Sequence, residues 1–522
     1  MVRYADMTAL VTGMRHGIRV MLAMLFVPAC LQAEAEEWKE VDFTVRSEAV
    51  VSAGSHAPFW LVSNRHGLSS LESNNADLRI GMQRDFDKCE GFSWDYGAEL
   101  VGAWNHAAPF FVHQLYADMR YNCWELSVGS KERWSEGKHA TLSGGGLTFS
   151  PNARPVPQVR LGIHEYTTVP WGFNGWVHVK GHFSYGRYTD SEYTKAFARE
   201  ARPGTFYVQE VLLHEKTFFV KVGKSSCTPL SLEAGLEMYC QFGGKLFEKT
   251  ASHDSLVYAL PHTYREYVKA FIPLSGGKDT PVAEQTNVNG NQLGSWHIAA
   301  NYTTPALGVK VYCEHFFEDH SQLIGFAFNK DWKGGTKMVS YLPWKDGLWG
   351  IEVSLPQCRY LSAILYEHTT MKDQSGPILH NSSGSLAEQV SGFDCYYHHY
   401  IYQGWQHWGR GMGTPLAISS AYNADGTSII SSSRIKAHHL GAEGACGKHL
   451  SYRLLATYAK HWGTYRDPFK EVGHQVSTLL ELQYTIPTSR IGGRLSLAKD
   501  WGNTLIGNNT GAALTIQYTP EL

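Results

Sequence analysis

The sequence predicts an all-β protein: a single closed antiparallel transmembrane β-barrel with a polar lumen. Three observations on the 522-residue chain support this fold class. Apolar and polar residues alternate along many segments, and aromatic residues make up 13% of the chain while charged residues make up only 18%. Beyond the N-terminal region, no apolar run reaches the roughly 18 residues that indicate a membrane-spanning helix. Disorder is excluded, because disordered chains are poor in aromatic residues and rich in charge.

The alternation is clearest in the segment Ser231–Phe242, where every second residue is apolar. This spacing places the apolar side chains on one face of a strand, whereas on a helix they would be scattered around the axis. The same alternation runs through segments that begin at Val177, Leu307, Trp349 and Ala512. Several predicted strands have about ten residues, close to the 9–11 or so that a tilted strand needs to cross a bilayer. The chain is long enough for about 16–18 such strands.

Closure of the sheet follows from the solvent on its outer face. Hydrocarbon offers no hydrogen-bond partner, so every strand in a membrane must pair on both sides and leave no edge. The strand face opposite the apolar one carries Glu, Lys and His, which suits a water-filled lumen. The alternative is a secreted β-sandwich or propeller, which would show shorter strands, more surface charge and a blade-like repeat.

Aromatic residues gather at the ends of the predicted strands. In barrels of this kind, such residues form girdles at the two membrane–water interfaces. The predicted girdle residues are Tyr185, Tyr188, Trp344, Trp349, Tyr458 and Trp462.

The N-terminus predicts export. Arg15 and Arg19 precede a short apolar run at 20–27, which is followed by Pro28 and small residues up to Ala33. This is the pattern of a cleavable signal peptide, so we expect a signal peptide at 1–33 and a barrel at 34–522 in the cell outer membrane. A translation start at Met14 and a lipidated Cys30 stay open as alternatives.

Charge and cysteine content exclude several other classes. The 46 basic residues nearly balance the 48 acidic ones, for a net charge of −2, so the chain lacks the basic surface of a nucleic-acid-binding protein. The eight cysteines beyond Cys30 are widely spread and include no C-x-x-C pair. They indicate neither a disulfide framework nor a zinc finger.

Several motifs resemble the Wzi-type capsule-assembly family, in its Bacteroidetes-like version. They are FWLVSNRHG at 59–67, LSGGGLTF at 142–149 with NARPVPQVR at 152–160, LHEK at 213–216, GW at 404–405 with GRGMGTPL at 409–416, and DWGN at 500–503 with GNNTG at 507–511. Each motif is moderately specific, and together they follow one another along nearly the whole mature chain.

The resemblance implies an 18-stranded outer-membrane barrel that is a lectin and not an enzyme, and that helps to retain capsular polysaccharide on the cell surface. Enterobacterial members carry a helical bundle that plugs the periplasmic side. This sequence departs from that pattern, because residues 41–46 already read as a strand and only a short piece near Leu68–Ala76 reads as helical. The chain also ends on Leu522, with Tyr518 as the nearest substitute for the usual terminal aromatic residue.

Two segments carry the residue types that bind sugars. Aromatic rings stack on the C–H faces of pyranoses, and arginine grips the carboxylate of an acidic sugar through two parallel hydrogen bonds. The candidate polysaccharide ligands are Tyr402, Trp405, Trp408 and Arg410 in the first segment, and Arg154, Arg160 and Trp171 in the second. The alternative is that these tryptophans and arginines are girdle or structural residues. Prolines at 155, 157 and 170 predict that the second segment, 154–176, is an irregular loop folded toward the lumen.

Other chemistries find little support. The acidic and histidine residues at 314–320 match no defined metal-ligand set and are interpreted as a solvated loop. His214-Glu215 begins like a zincin motif but has Phe218 where the second histidine belongs, and the glycines at 144–146 lack the lysine of a phosphate loop. No G-x-S-x-G elbow occurs, although a serine–histidine hydrolase on the barrel wall would escape a motif search.

We therefore expect a non-enzymatic barrel that binds capsular or surface polysaccharide, is surrounded by outer-membrane lipid, requires no cofactor or metal, and is a monomer. A diffusion porin or sugar uptake channel is the alternative function, and an outer-membrane hydrolase is a third.

Overall fold

The computed structural model describes residues 41–86, 91–274, 289–318, 326–330, 336–340, 346–374, 378–379, 390–391, 395–487 and 489–520. The predicted signal peptide at 1–33, the start at Met14, Cys30 and Trp344 lie outside these residues. None of the helices within the described ranges combines the length and apolar character needed to span a membrane.

Eighteen strands form one sheet. In chain order they are β1 (Asp42–Ala53), β2 (Asn74–Arg84), β3 (Phe92–Trp104), β4 (Phe110–Tyr121), β5 (Trp124–Ser130), β6 (Gln158–Thr168), β7 (Val177–Arg187), β8 (Leu212–Val222), β9 (Leu230–Phe242), β10 (Asn291–Thr303), β11 (Gly308–Glu318), β12 (Gly347–Ser354), β13 (Ala363–Thr370), β14 (Ile435–Ala445), β15 (Leu450–Gly463), β16 (Pro468–Thr485), β17 (Ile491–Gly502) and β18 (Thr510–Tyr518).

The sheet closes on itself, because β1 pairs antiparallel with both β2 and β18. Val51 of β1 lies opposite Ala512 of β18, and every other strand pairs with its two neighbours in the chain. No strand of this sheet is left with an unpaired edge, as a hydrocarbon environment requires. The predicted closed antiparallel barrel is confirmed, with eighteen strands.

The two faces of the wall differ in polarity. In β9, Leu232 points outward and is 62% exposed, whereas Glu237 points into the lumen and is only 2% exposed. The lumen face carries many further buried polar residues, among them Glu48, Asp77, Asp118, His182, Glu215, Glu314, Glu367, His439, Glu481 and Asp500. The period of two in the sequence therefore separates a lipid-facing side from a polar interior.

The two ends of the barrel also differ. At one end, here called the short-turn end, the strands are joined by connections such as 122–123, 304–307 and 446–449, and β1 begins and β18 ends there. The opposite, long-loop end carries the connections 131–157 and 371–434 among others.

Shorter elements belong to the connections at the long-loop end. The helices are α1 (Phe59–Val62), α2 (Ser191–Phe197) and α3 (Tyr264–Phe271), and the 3-10 helices are Ala198–Glu200 and Ser420–Tyr422. One small sheet combines Phe206–Gln209, Lys245–Lys249 and Asp254–Ala259. The two-stranded ribbons pair Phe326–Lys330 with Thr336–Ser340, Ile378–Leu379 with Val390–Ser391, and Gln406–His407 with Arg410–Gly411.

Three connections fold back into the barrel and fill its lumen: 54–73, 131–157 and 395–434. We call them together the plug. All four residues of α1 are buried, as are Leu142, Leu147 and Ile418. The helix expected near Leu68–Ala76 is wrong, because the helix is α1 and residues 74–76 already belong to β2.

Two expectations about loops are also corrected. The segment 154–176 is not one irregular loop, since Gln158–Thr168 forms the wall strand β6. Glu314 and His315 lie on strand β11 and are both buried, so they are not part of a solvated loop. The three prolines lie outside β6 and do not interrupt it, and pairing with a strand on each side keeps the charged residues of β11 in the wall.

Girdle residues surround both ends. Trp349 and Tyr458 are exposed on the outer wall toward the long-loop end. Tyr188 is not a girdle residue: it is buried in the lumen, where its hydroxyl accepts a hydrogen bond from Gln241. Residues exposed at the short-turn end include Phe92, Trp94, Tyr121, Trp124, Trp171 and Phe173.

Candidate functional site

Buried carboxylates of the wall hold the plug in place. Glu367 accepts hydrogen bonds from the Ser143 hydroxyl and the Gly144 N–H, both at 2.7 Å. Glu314 accepts one from the Leu147 N–H at 2.7 Å and pairs with the Lys138 ammonium at 2.7 Å. Backbone donors in a buried loop need acceptors, and carboxylates provide the stronger ones.

The connection 54–73 is attached in the same way. The Phe59 N–H donates to Asp500 at 2.9 Å, and the Trp60 indole N–H donates to the Thr457 hydroxyl at 3.2 Å. These bonds fix the beginning of α1, which has no side-chain cap of its own.

The third plug segment, 395–434, packs on the second. The Trp405 indole is fully buried, and its N–H donates to the Thr148 carbonyl at 2.8 Å. The Ser150 N–H donates to the Met412 carbonyl at 2.7 Å. Residues 405 and 412 are therefore fixed on either side of a short hairpin, 406–411, which extends from the plug.

The tip of this hairpin presents Trp408. Both Trp408 and Gly409 adopt the left-handed region, with φ of 53° and 70°, and a Cβ at Gly409 would collide with the Tyr193 hydroxyl. A bulky residue with positive φ is strained and has to be held by its surroundings. Here the Trp408 N–H donates to Asp190 at 3.0 Å, and its indole N–H donates to Thr189 at 3.1 Å.

Three half-buried aromatic rings form a row on this end of the barrel. The ring of Trp408 lies 5.6 Å from that of Tyr193, which in turn stacks on Phe197 at 5.7 Å and 18° between planes. Tyr193 and Phe197 lie four residues apart on α2, so they lie on the same side of that helix. We call this row the aromatic row.

Two arginines lie beside the aromatic row. The Arg154 guanidinium lies between two rings, 3.7 Å from the centre of Phe111 and 4.3 Å from that of Trp408. Arg410 is the neighbouring charge, and its guanidinium donates to the Ser69 carbonyl at 3.3 Å. Within the described part of the chain, no carboxylate lies within 4.0 Å of either guanidinium.

The surroundings of these arginines affect their pKa values. Burial, together with the positive charge of Arg410, lowers the pKa of Arg154 to about 10. Burial also lowers the pKa of Arg410. Both side chains are still charged at neutral pH, so the site carries two positive charges without a counter-ion from the described wall or loops. Such a pair favours an anionic ligand.

His407 joins the parts of this site. Its Nε2 accepts the Thr189 N–H at 3.1 Å, so its Nδ1 carries the proton and donates to the Arg154 carbonyl at 2.9 Å. The neutral ring therefore links the plug segment of Arg154 to the connection that carries α2. Burial lowers the pKa of His407 and keeps it neutral.

The structure brings together three of the seven predicted ligands: Arg154, Trp408 and Arg410. The other four do not reach this site. Tyr402 and Trp405 are buried inside the plug, so in this structure neither ring is accessible to a sugar.

Arg160 and Trp171 are elsewhere in the barrel. Arg160 points into the lumen from β6 and donates to His182 at 2.8 Å. Trp171 is 80% exposed at the short-turn end, opposite to Trp408, where the alternative girdle interpretation fits it. Tyr193 and Phe197 were missed, although their spacing of four was a signal for neighbouring rings on a helix.

The comparisons with known proteins agree with this fold. The sequence matches the family described as Capsule assembly protein Wzi over residues 30–390, more than half of the chain. The chain belongs to the Wzi capsule assembly family. No curated protein sequence matches it.

Among solved structures, the Wzi-family chain resembles Wzi of Escherichia coli, whose structure is described as a carbohydrate-binding β-barrel involved in group 1 capsule assembly. The TM-score is 0.55 at 15% identity, covering 92% of this chain and 85% of that one. OccK5 of Pseudomonas aeruginosa gives a TM-score of 0.43 at 10% identity, covering 92% and 97%. OccAB2 of Acinetobacter baumannii gives 0.44 at 10% identity, also covering 92% and 97%.

The barrel of this Wzi-family chain is an outer-membrane fold, which orients the site. Short turns of outer-membrane barrels face the periplasm and long loops face the exterior. The aromatic row and its arginines are therefore extracellular. Below the plug, a cavity of about 650 Å³ lies toward the periplasmic side and is lined by Arg46, Arg65, Arg453 and Arg494 among others.

Proposed function

We propose that this protein is a non-enzymatic polysaccharide-binding barrel that supports capsule assembly and attachment at the cell surface. The observation that carries the proposal is the extracellular aromatic row beside two arginines without a carboxylate partner. Aromatic rings stack on the C–H faces of sugar rings, and guanidiniums donate hydrogen bonds to carboxylates. An acidic polysaccharide satisfies both features, so Trp408, Arg410 and Arg154 are the proposed ligands, joined by Tyr193 and Phe197.

The test is binding of acidic and neutral oligosaccharides to the barrel purified in detergent, measured on a glycan array and by titration. We expect Arg410→Gln to weaken binding of an acidic oligosaccharide by roughly tenfold or more, the effect of losing one charge-assisted contact. Trp408→Ala should also weaken it, because the ring that stacks on the sugar is lost. Trp171→Ala is the matched control, since Trp171 is an exposed tryptophan at the opposite end. Equal binding by parent, Trp408→Ala and Arg410→Gln would overturn the site.

A cellular test addresses the function itself. Deletion of the gene is expected to release capsular or surface polysaccharide into the medium, and the parent sequence but not the Arg410→Gln variant restores its retention. Retention that is unchanged by deletion contradicts the capsule role even if the purified barrel binds sugar.

A diffusion porin is less well supported, because the plug crosses the lumen and the wall holds it through buried carboxylates. We further propose that the chain is exported through a signal peptide cleaved after Ala33, is surrounded by outer-membrane lipid and is monomeric. Mass spectrometry of the mature N-terminus tests the cleavage, and light scattering in detergent tests the oligomeric state.

A further inference from the structure

We propose that Glu99, His113, Glu132 and His66 form a binding site for a divalent transition-metal ion such as Zn²⁺. Glu99 and His113 belong to the neighbouring strands β3 and β4, Glu132 follows β5, and His66 comes from the first plug segment. An ion held by all four would join the plug to the wall. This inference does not depend on polysaccharide binding.

The distances suit metal ligands. Nε2 of His113 lies 2.8 Å from Oε1 of Glu132 and 3.9 Å from Oε2 of Glu99. One ligand atom from each of these three residues lies within 4.8 Å of the other two. Ligand atoms about 2.0–2.2 Å from a tetrahedral Zn²⁺ are about 3.4 Å apart, between the 2.8 and 3.9 Å found here.

His66 supplies the fourth ligand. Its Nε2 lies 3.8 Å from Oε2 of Glu132, and its side chain is 7% exposed. Within the described part of the chain, this buried nitrogen has no hydrogen-bond partner. The ring is held edge-on against Trp134, with 4.8 Å between ring centres. A buried ring nitrogen without a partner is costly, and a metal ion would satisfy it.

The charge around the cluster also favours a cation. In the described ranges, no lysine or arginine lies within 4.0 Å of the carboxylates of Glu99 or Glu132; the nearby Arg79 is paired with Asp77 at 2.6 Å. Neither carboxylate is directly paired with a lysine or arginine of the described ranges, and a divalent ion would neutralise both. Two nitrogens and two oxygens are a ligand set suited to Zn²⁺ and its neighbours, whereas Ca²⁺ and Mg²⁺ prefer oxygen alone.

The local backbone explains how β4 presents these groups. The pairing of β3 with β4 shifts at Glu99, which lies opposite Gln114, while Leu100 lies opposite Val112. His113 is thus the extra residue of a β-bulge, a feature that re-aims side chains. Gln114 supports the site: its Oε1 accepts the Glu132 N–H at 3.0 Å, and its Nε2 approaches Glu99 at 3.4 Å.

A second cluster provides a contrast within the same lumen. Glu237, His297 and Glu314 are also close enough to hold an ion. There, however, the Lys138 ammonium pairs with Glu314 at 2.7 Å. This side chain already neutralises the carboxylate, so a metal ion is not needed. We assign metal binding to the first cluster and not to the second, which makes the second a matched control.

The test uses the full-length mature barrel in detergent, stripped with EDTA and titrated with Zn²⁺ by calorimetry and with Co²⁺ by visible absorption. We expect one tight equivalent and the absorption bands of Co²⁺ with nitrogen and oxygen ligands. His113→Gln and Glu132→Gln should each weaken Zn²⁺ binding by at least about tenfold to a hundredfold, the loss caused by removing even a partner that supports a ligand, whereas Glu237→Gln should leave it unchanged. Added Ca²⁺ should not compete.

Folding of each variant is checked by its heat-modifiable migration in gel electrophoresis. The His66→Gln variant tests the plug ligand separately, because it leaves the wall strands intact and should weaken binding by a similar factor. Folded His113→Gln and Glu132→Gln barrels that bind Zn²⁺ like the parent would overturn the proposal, as would a parent that binds no Zn²⁺ or a Glu237→Gln variant that loses its binding.

Discussion

The Leu147 N–H donates a 2.7 Å hydrogen bond to the Glu314 carboxylate across 167 residues of sequence. Leu147 belongs to the plug and Glu314 to the wall, and both are fully buried. This bond and those to Glu367 and Asp500 follow one pattern, in which an acidic wall residue accepts backbone N–H groups of an inward-folded loop. The polar lumen face is thus the attachment surface of the plug.

Removal of one such carboxylate is expected to loosen the plug. Glu367→Ala deletes the acceptor of Ser143 and Gly144, and each hydrogen bond to a charged group contributes about 1.5–3 kcal/mol. We expect a larger ion conductance in planar bilayers than for the parent barrel. Glu352→Ala, which removes a lumen carboxylate near the periplasmic end, is the control. Equal conductance of the parent and Glu367→Ala barrels contradicts the anchoring role.

Trp405 and Trp408 are expected to have different roles, although they lie only three positions apart in the sequence. Trp405→Ala leaves a cavity in the plug and deprives the Thr148 carbonyl of its donor, a loss of about 3–5 kcal/mol in local stability. We expect faster cleavage of 395–434 by protease, whereas Trp408→Ala should leave cleavage near the parent rate. Mass spectrometry of the fragments measures both. The same cleavage rate for Trp405→Ala and the parent would refute this division.

The plug is expected to loosen in acid. The pKa of His407 is lowered by burial from its ordinary 6.5, against the attraction of Asp190, so the folded loop binds fewer protons than the opened one. The contribution of neutral His407 to the stability of the folded loop is complete above about pH 6.5. It is lost as the pH falls toward the lowered pKa of His407.

Protease cleavage of 395–434 should therefore be faster at about pH 5 than at about pH 7.5. His407→Gln, which cannot titrate, should reduce this difference without abolishing it. Burial also lowers the pKa values of His398 and His399, to about 4 and about 3. His253→Gln, on an exposed loop, is the control. A pH dependence that is the same in His407→Gln and the parent would exclude His407 as its source.

The outer wall is expected to tolerate charge only near its ends. Ile298 lies midway along β10 and is 53% exposed to lipid. Ile298→Arg should destabilise the barrel by about 2–4 kcal/mol, whereas Leu230→Arg at the periplasmic end of β9 should cost at most about 1 kcal/mol. Urea unfolding in lipid vesicles, followed by tryptophan fluorescence, gives the two values. Equal effects at both positions would contradict the assigned depth of the strands.

Much of the wall could be predicted from sequence, because alternate side chains of a wall strand face lipid and the polar lumen, so apolar and polar residues alternate along it. The segment Ser231–Phe242 shows this, and β9 has nearly the same bounds. The closure of the barrel followed from the absence of hydrogen-bond partners in hydrocarbon. The strand between Arg154 and Trp176 was missed because three prolines suggested a loop, although they all lie outside β6.

The candidate site was predicted less well, since its composition does not reveal which rings face outward. Trp405 and Trp408 lie three positions apart in one glycine-rich segment, and only their contacts in the fold distinguish them: the Trp405 indole donates to Thr148 and the Trp408 indole to Thr189. Tyr193 and Phe197 come from a different connection. Such long-range contacts leave no periodic signal in the sequence, so the row of rings appears only in the folded chain.

Pairing of β1 with β18 has a consequence for assembly. These are the first and last strands of the sheet, so their contact spans the greatest sequence separation and bears the largest loop-closure entropy. All three plug segments lie between them in the chain. The interior becomes a compartment shut off from lipid only when the hairpin of β17 and β18 pairs with β1. During assembly, the three plug segments therefore have to enter the lumen before β1 pairs with β18, or enter it afterwards through the extracellular end.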